Sequence, residues 1–136
     1  MGFFIVNLKK YIVMNLTIDK KEKYALVTIK ESKLTSVVAP ELKAEIVILH
    51  HEAFKNMIFD MSEVQYCDSS GLSAILVGYR MCRDNNSTFV LAGVQEHVKK
   101  LISISQLDSM LLQVPTTNEA IDLIFMEEVE KQLHKE

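Results

Sequence analysis

The sequence predicts an α/β domain in which a mixed sheet of about five strands packs against about four helices. From residue 56 onwards, apolar runs of strand length alternate with longer segments whose apolar residues recur every three or four positions. The chain opens instead with two short alternating runs joined by a polar tetrapeptide, a pattern typical of a β-hairpin. A chain of 136 residues is long enough for one hydrophobic core.

The first half of the chain predicts the hairpin, a helix and a buried strand. Leu16 to Ile18 and Tyr24 to Ile29 are the expected hairpin strands, and a polar connection follows from Glu31 to Ser36. Pro40 suits the first turn of a helix. The apolar stripe expected on that helix consists of Leu42, Ile46 and Leu49. Asn56 to Asp60 then predicts a buried strand.

The second half predicts two more strands and three helices. A helix is expected from Leu72 to Arg83, a strand from Thr88 to Ala92 and a short helix from about Glu96. Met110 to Val114 predicts the last strand, and Thr117 to Leu133 the final helix. The residues expected to face inward from that final helix are Ala120, Ile121, Ile124 and Phe125.

The pattern divides the chain into three segments. Residues 14–128 are expected to form the domain, and residues 129–136 a polar tail of its last helix. Residues 1–13 precede the first regular pattern and are interpreted as an overcalled start or an N-terminal extension. They contain apolar runs, but Lys9-Lys10 divides them, so they lack both the continuous apolar centre of a signal peptide and the roughly 20 apolar residues of a membrane span.

Composition argues against several functional classes. The net charge of −3 and the scattered basic residues disfavour nucleic-acid binding. Neither Cys67 nor Cys82 has the spacing of a metal site or a disulfide framework. Cys82 falls on an apolar helical stripe, so a buried thiol is expected in a reducing, cytoplasmic setting. We expect no cofactor, no metal ion and no membrane association.

The most informative stretch is Asp68-Ser69-Ser70-Gly71-Leu72, which joins a strand-like run to a helix-like run. Asp68 and Ser69 suit the cap of that helix. A serine hydroxyl at a helix N-terminus suits a group that will carry negative charge, because the positive end of the helix dipole lies there. Since one capping residue would suffice, two serines followed by glycine indicate capping together with a modifiable hydroxyl.

The sequence gives less support to an enzymatic function. A nucleophile elbow has the pattern G-x-S-x-G, whereas Ser70 is followed directly by Gly71 and has no glycine two residues before it. Among the histidines, only His97 is expected near the serines, since it opens a helix after Gly93. His50, His51 and Glu52 have ligand chemistry, but adjacent residues on a helix point in different directions. We therefore expect a protein that is not an enzyme.

The segment Ile58-Phe-Asp-Met-Ser-Glu-Val-Gln-Tyr-Cys-Asp-Ser-Ser-Gly-Leu-Ser-Ala-Ile-Leu76 resembles the signature of STAS domains, specifically the anti-sigma factor antagonists. Val98 to Leu107 is similar to the third-helix segment of that family, and Thr117 to Ile124 to its final helix. The resemblance covers roughly residues 14–128, and the matching order of elements makes it specific.

The resemblance implies a partner switch. The serine immediately before the glycine, here Ser70, would accept phosphate from a partner kinase that is also the anti-sigma factor. The unphosphorylated protein would bind that factor and so free a sigma factor for transcription. Phosphorylation would break the complex, and a serine phosphatase would restore it.

The resemblance also implies a partner-binding surface. Its predicted residues are Leu34, Thr35, Ser36, Asp68, Ser69, Ser70, Gly71, Leu72, Val94 and Gln95, with Gly71 expected to permit close approach by the kinase. Three features depart from the family pattern. The stretch from Glu31 to Ser36 keeps Leu34 but lacks the glycine of the family's Gly-x-Leu-Asp-type turn, Thr35 stands where the family has an acid, and Ser73 stands where a second glycine often follows. The alternative is a STAS-like adaptor or small-ligand-binding accessory domain of a transport or signalling complex, in which Ser70 is never modified.

Overall fold

The computed structural model describes residues 14–53 and 55–134. The strands in these ranges are β1 (Leu16–Lys20), β2 (Tyr24–Ile29), β3 (Lys33–Leu34), β4 (Asn56–Asp60), β5 (Tyr66–Cys67), β6 (Phe89–Ala92) and β7 (Leu112–Val114). Five of them form one sheet in the order β1-β2-β4-β6-β7. β1 is antiparallel to β2, and every other neighbouring pair is parallel. This is the mixed sheet that the sequence predicts.

Four helices complete the described part of the fold: α1 (Ala39–His51), α2 (Ser69–Asp84), α3 (Glu96–Ile104) and α4 (Thr117–His134). The buried residues of α1, α2 and α3 share one core cluster, and those of α4 belong to another. Each cluster contains residues from the central strands. The sheet is therefore covered by three helices on one face and by α4 on the other.

Alternation along the strands explains this two-sided core. In β2, Ala25, Val27 and Ile29 belong to the larger cluster, whereas Tyr24 belongs to the smaller one. In β4, Phe59 belongs to the larger cluster and Ile58 to the smaller one. Successive side chains of a strand point to opposite faces, so a central parallel strand must be apolar on both.

The structure differs from the expected elements at several points, and the last strand begins at Leu112 and not at Met110. The helix expected to begin at Leu72 begins at Ser69, where Asp68 caps it. The connection from Glu31 to Ser36 contains β3, which pairs in parallel with β5 in a separate two-stranded sheet. The prediction that Phe125 faces inward is wrong: its side chain is 46% exposed and meets the Tyr24 ring edge-on, with ring centroids 6.4 Å apart.

Both cysteines are free and buried, as expected of Cys82 from its helical stripe. None of the helices in the described ranges combines the length and the apolar character needed to cross a membrane. The expected N-terminal extension, residues 1–13, lies outside the described residues. The division of the chain at residues 13 and 128 stays a prediction.

Candidate functional site

The candidate site lies at the start of α2, where the chain leaves β5. The segment that follows β3 lies beside it, because β3 and β5 are parallel neighbours. In this pair Lys33 is opposite Tyr66 and Leu34 is opposite Cys67. Two segments separated by more than thirty residues therefore end side by side. The pairing brings Thr35 and Ser36 next to Asp68, as the predicted surface requires.

Asp68 organises this junction. It has extended backbone angles, and its Oδ1 accepts a hydrogen bond from the Gly71 amide at 2.9 Å, so it is the N-cap of α2. Its Oδ2 accepts from the Ser36 amide at 3.3 Å. The Asp68 amide in turn donates to the Leu34 carbonyl oxygen at 3.3 Å. A single residue thus caps the helix and ties it to the adjacent loop.

Ser69 and Ser70 occupy the first two helical positions after the cap. Ser69 is exposed and Ser70 half-buried, so neither side chain is sealed in the core. Within the described residues, neither hydroxyl and neither amide of the pair has a hydrogen-bond partner. Two free N–H groups at the positive end of a sixteen-residue helix can receive negative charge.

Gly71 is required by internal packing. A Cβ atom at this position would overlap the carbonyl oxygen of Leu34 and lie 2.7 Å from the Cys67 Sγ atom. The glycine therefore lets the first turn of α2 lie against the small β3–β5 sheet. The close approach seen here is by the chain's own backbone, and Gly71 is buried. Approach by a kinase at this position stays a prediction.

The loop after β3 leads into α1. The Thr35 carbonyl accepts hydrogen bonds from the amides of Val38 and Ala39 at 3.1 and 2.8 Å, and its Oγ1 accepts from the Val37 amide at 3.4 Å. Ser36 is exposed, and Val37 beside it is 80% exposed. An exposed apolar side chain in a turn next to the serines suits a contact surface. Val37 was not among the predicted partner-binding residues.

Val94 and Gln95, the other predicted flank, precede α3. Gln95 is the N-cap of that helix, and its Nε2 donates to the Gly93 carbonyl oxygen at 3.3 Å. Gly93 has a φ of +68°, which favours glycine at this turn. Val94 is only 7% exposed and belongs to the larger core cluster.

An aromatic pair connects the starts of α2 and α3. The rings of Tyr66 and His97 lie 5.0 Å apart between centroids with an interplanar angle of 34°. His97 is exposed and Tyr66 is 43% exposed. Sequence reasoning missed Tyr66, although an aromatic residue two positions before the cap was visible. The pair extends the candidate site towards α3.

Four of the predicted partner-binding residues are buried, and the role of the predicted set in partner binding stays a prediction. Leu34 is fully buried, and Gly71, Leu72 and Val94 are buried as well. Because their side-chain positions face the core, they support the surface from beneath and do not present side chains to a partner in this conformation. Of the other predicted residues, Ser36 and Ser69 are exposed, and Thr35, Asp68, Ser70 and Gln95 are half-buried, with the aromatic pair beside them.

The Cys67 thiol lies directly before the cap residue Asp68 in the chain. Burial, and secondarily the charge of Asp68, raises the pKa of the Cys67 thiol to about 12. Its Sγ donates to the Asp68 carbonyl oxygen at 3.3 Å. A thiol with so high a pKa is protonated at neutral pH and is a poor nucleophile. Cys67 is therefore a packing residue.

The contacts of the described residues offer no catalytic constellation at the serines. No imidazole is hydrogen-bonded to Ser69 or Ser70 there, and the His97 ring packs on Tyr66. His50 contacts Asn85, with 3.1 Å between its Nδ1 and the Asn85 Nδ2. Within residues 14–53 and 55–134, no three His, Cys, Asp or Glu side chains lie close enough together to hold a metal ion.

Comparison with known proteins identifies relatives of this chain. The model of the STAS domain family matches residues 15–120. The anti-sigma-B factor antagonist of Listeria monocytogenes is 24% identical over 100 residues, which are 72% of this chain and 88% of the relative. The family match includes the whole candidate site.

Solved structures share the fold. SpoIIAA of Bacillus, an anti-sigma factor antagonist, superposes with a TM-score of 0.71 in its unphosphorylated form and 0.66 in its phosphorylated form. Identity is 19% and 17%, and the alignments cover 81% of this chain and 96% and 99% of SpoIIAA. The murine anion transporter Slc26a9 superposes with a TM-score of 0.70 at 14% identity, over 92% of this chain but 24% of the transporter.

Proposed function

The chain belongs to the STAS domain family, and we propose that it is an anti-sigma factor antagonist controlled by phosphorylation of Ser70. In the proposed cycle, the unphosphorylated protein binds an anti-sigma factor that has serine kinase activity. That factor transfers phosphate to Ser70 and is released, and a serine phosphatase removes the phosphate. The protein itself catalyses no step.

The observation that carries the proposal is the position of Ser70. Its hydroxyl lies in the first turn of α2, half-buried and without a hydrogen-bond partner among the described residues, while Asp68 already supplies the cap. The helix therefore does not need the Ser70 side chain for its N-cap. The family membership and the Listeria relative, which is named an antagonist of an anti-sigma factor, supply the regulatory context.

Phosphorylation at this position should leave the fold intact. A phosphoserine carries about −1.5 to −2 charges at neutral pH. The free amides of Ser69 and Ser70 and the positive end of α2 stabilise that charge by about 0.3–1 kcal/mol. The adjacent Asp68 carboxylate opposes it, but both carboxylate oxygens already accept hydrogen bonds. These opposing local effects are small compared with the stability of a domain.

The same charge should weaken partner binding strongly. A partner that covers Ser36, Ser70 and the Tyr66–His97 pair must remove water from the phosphate or place its own polar groups against it. A loss of about 2.7 kcal/mol at the interface corresponds to a hundredfold loss of affinity. The proposed switch is therefore local repulsion at a rigid surface, and it requires no refolding.

The cytoplasm is the compartment in which such a cycle would act. Transcription factors and ATP are available there, and the two free cysteines suit a reducing environment.

The proposal is tested by phosphate mapping. The protein is incubated with candidate anti-sigma kinases and ATP, and modified peptides are identified by mass spectrometry, with Ser70→Ala and Ser69→Ala as matched variants. Phosphate on Ser70, lost in Ser70→Ala and kept in Ser69→Ala, supports the proposal. Modification of Ser69 alone, or no modification by any kinase that binds the protein, contradicts it.

A second candidate function is suggested by one observation. A STAS fold also forms part of the anion transporter Slc26a9, where it occupies a minor share of a longer chain. An adaptor of a transport complex would use the same fold without modification of Ser70. An adjacent gene for a histidine-kinase-like ATPase favours the switch, and an adjacent gene for a transport subunit favours the adaptor.

A further inference from the structure

The outer face of α4 carries an apolar groove that the fold does not cover. Its exposed apolar side chains are Phe125, Met126, Val129 and Leu133, which are 46–68% exposed. They enclose a shallow volume of about 470 Å³. Four large apolar side chains on one helix face exceed what scattered surface hydrophobes produce, so the groove is suited to an occupant.

The charged rim of the groove restricts the kind of occupant. Glu127 and Glu130 border the apolar floor, and neither forms an ion pair with the described part of the chain. A second copy of α4 laid across the groove would bring the same two carboxylates into opposition, which is unfavourable. The complementary occupant is an apolar segment that carries basic residues and no acidic ones.

Residues 1–13 of this chain have that composition. They contain the apolar run Phe3-Phe4-Ile5-Val6, then Leu8, then Lys9-Lys10, and no Asp or Glu. We propose that this N-terminal segment binds the α4 groove of its own chain, with its apolar side chains on the floor and Lys9-Lys10 towards Glu127 and Glu130. The proposal does not depend on the modification of Ser70.

The described chain begins in a suitable place. Leu16 pairs with Ile29, so β1 starts at the edge of the sheet where the parallel strands end. The α4 helix starts at the same edge, after β7, and packs on β4, β6 and β7. Only β2 separates β1 from β4. Tyr24, at the other end of β2 from Ile29, contacts Phe125, so the groove lies along α4 away from the edge where the described chain begins.

The length of the segment is sufficient. Two strand spacings separate β1 from β4, which amounts to about 10 Å. An extended segment of thirteen residues reaches about 43 Å, whereas the eighteen residues of α4 span about 27 Å. Along α4 the groove extends from about 12 Å (Phe125) to about 24 Å (Leu133) beyond the start of the helix. Thirteen residues therefore suffice to cross the two strands and to run along the groove.

Zero-length cross-linking of the full chain tests this placement. A carbodiimide joins a lysine amine to a glutamate carboxylate with loss of water, and the linked peptides are mapped by mass spectrometry. An equal mixture of ¹⁴N-labelled and ¹⁵N-labelled protein separates links within one copy from links between copies. We expect Lys9 or Lys10 joined to Glu127 or Glu130, within one copy.

Matched variants make the test specific to the groove. Val129→Asp and Met126→Asp place a charge on its floor, and each should lower the yield of these links at least about tenfold. Ile104→Asp is the control, since Ile104 is 80% exposed on α3 and lies outside the groove. The yield of these cross-links in Ile104→Asp should equal their yield in the unsubstituted protein.

Three results would overturn the proposal. Links of mixed isotope composition would show that the segment or the groove engages a second copy. If Lys9 and Lys10 were cross-linked to Glu63 and Glu96, which lie outside the groove, with the same yield as to Glu127 and Glu130, the links would reflect random encounter. Unchanged yields in both groove variants would show that the apolar floor has no part in the contact.

Discussion

The side chain of Asp68 joins the first turn of α2 to the backbone of Ser36, 32 positions earlier in the chain. One carboxylate oxygen accepts from the Gly71 amide at 2.9 Å and the other from the Ser36 amide at 3.3 Å. The candidate phosphoacceptor therefore lies on a helix end that is fixed to the neighbouring loop. Because Asp68 holds both segments, the surface around Ser70 is preformed in the absence of a partner.

Removing this junction should lower stability measurably. We expect Asp68→Ala to lower the free energy of unfolding by about 1–2 kcal/mol, because the helix loses its cap and the Ser36 amide loses its acceptor. Urea denaturation followed by circular dichroism measures the effect. Asp84→Ala is the control, since Asp84 is exposed at the other end of α2 and its loss should cost less than about 0.5 kcal/mol. Equal effects of the two variants would contradict the assigned role of Asp68.

Gly71→Ala should destabilise the protein although alanine is the better helix former. The added methyl group overlaps the Leu34 carbonyl, and relieving such overlap costs about 1–3 kcal/mol. This exceeds the gain of up to about 1 kcal/mol expected for alanine in a helix. Thermal denaturation shows whether Gly71→Ala lowers or raises the melting temperature. Arg80→Ala, on the exposed face of the same helix, is the reference. A raised melting temperature for Gly71→Ala would refute the packing assignment.

Ser70→Asp should separate binding from folding. We expect its stability to remain within about 1 kcal/mol of the unsubstituted protein, since the carboxylate lies at the positive end of α2. Affinity for the partner kinase should fall about a hundredfold. Isothermal titration calorimetry measures the affinity, and Ser70→Asn supplies a neutral side chain of similar shape. Loss of binding in Ser70→Asn to the same extent would indicate a steric effect in place of a charge effect.

The buried thiols predict a pH dependence above neutrality. Burial raises the pKa of both Cys67 and Cys82 from 9.0 to about 12. The folded protein therefore retains thiol protons that the unfolded chain releases, and stability should be complete below pH 9 and should fall as the pH rises from 9 towards 12. Denaturation midpoints across this range test the sign. At pH 8, a disulfide reagent such as DTNB should label both thiols only after denaturant is added.

Asn56 should be among the polar residues least tolerant of substitution. It is 2% exposed; its Nδ2 donates to the Lys23 carbonyl at 2.7 Å and to the Glu128 Oε1 at 2.9 Å, and its Oδ1 accepts from the Thr88 amide at 2.9 Å. Asn56→Ala leaves these groups without partners, so we expect a loss of about 2–3 kcal/mol. Asn85→Ala, which changes an exposed amide, should cost less than about 0.5 kcal/mol. Chemical denaturation of both variants provides the comparison.

The sequence by itself determined the longer helices and the strands of the main sheet, because their signal is local. Apolar spacing in Leu42, Ile46 and Leu49 and the apolar run from Met57 to Phe59 depend only on near neighbours in the chain, and the structure places those elements where they were expected. The cap at Asp68 and the two serines were visible for the same reason. The signature around Ser70 also sufficed to predict the family.

The tertiary structure alone decided which residues form the surface of the site. The pairing of β3 with β5 rests on two residues in each strand, too few to show a periodicity, and it is this pairing that buries Leu34 and requires glycine at position 71. The exposure of Phe125 was equally hidden, since helical spacing fixes the side of a helix on which a residue lies but not how far the sheet beneath extends. Contacts between distant segments depend on strand order and register, which no local pattern encodes.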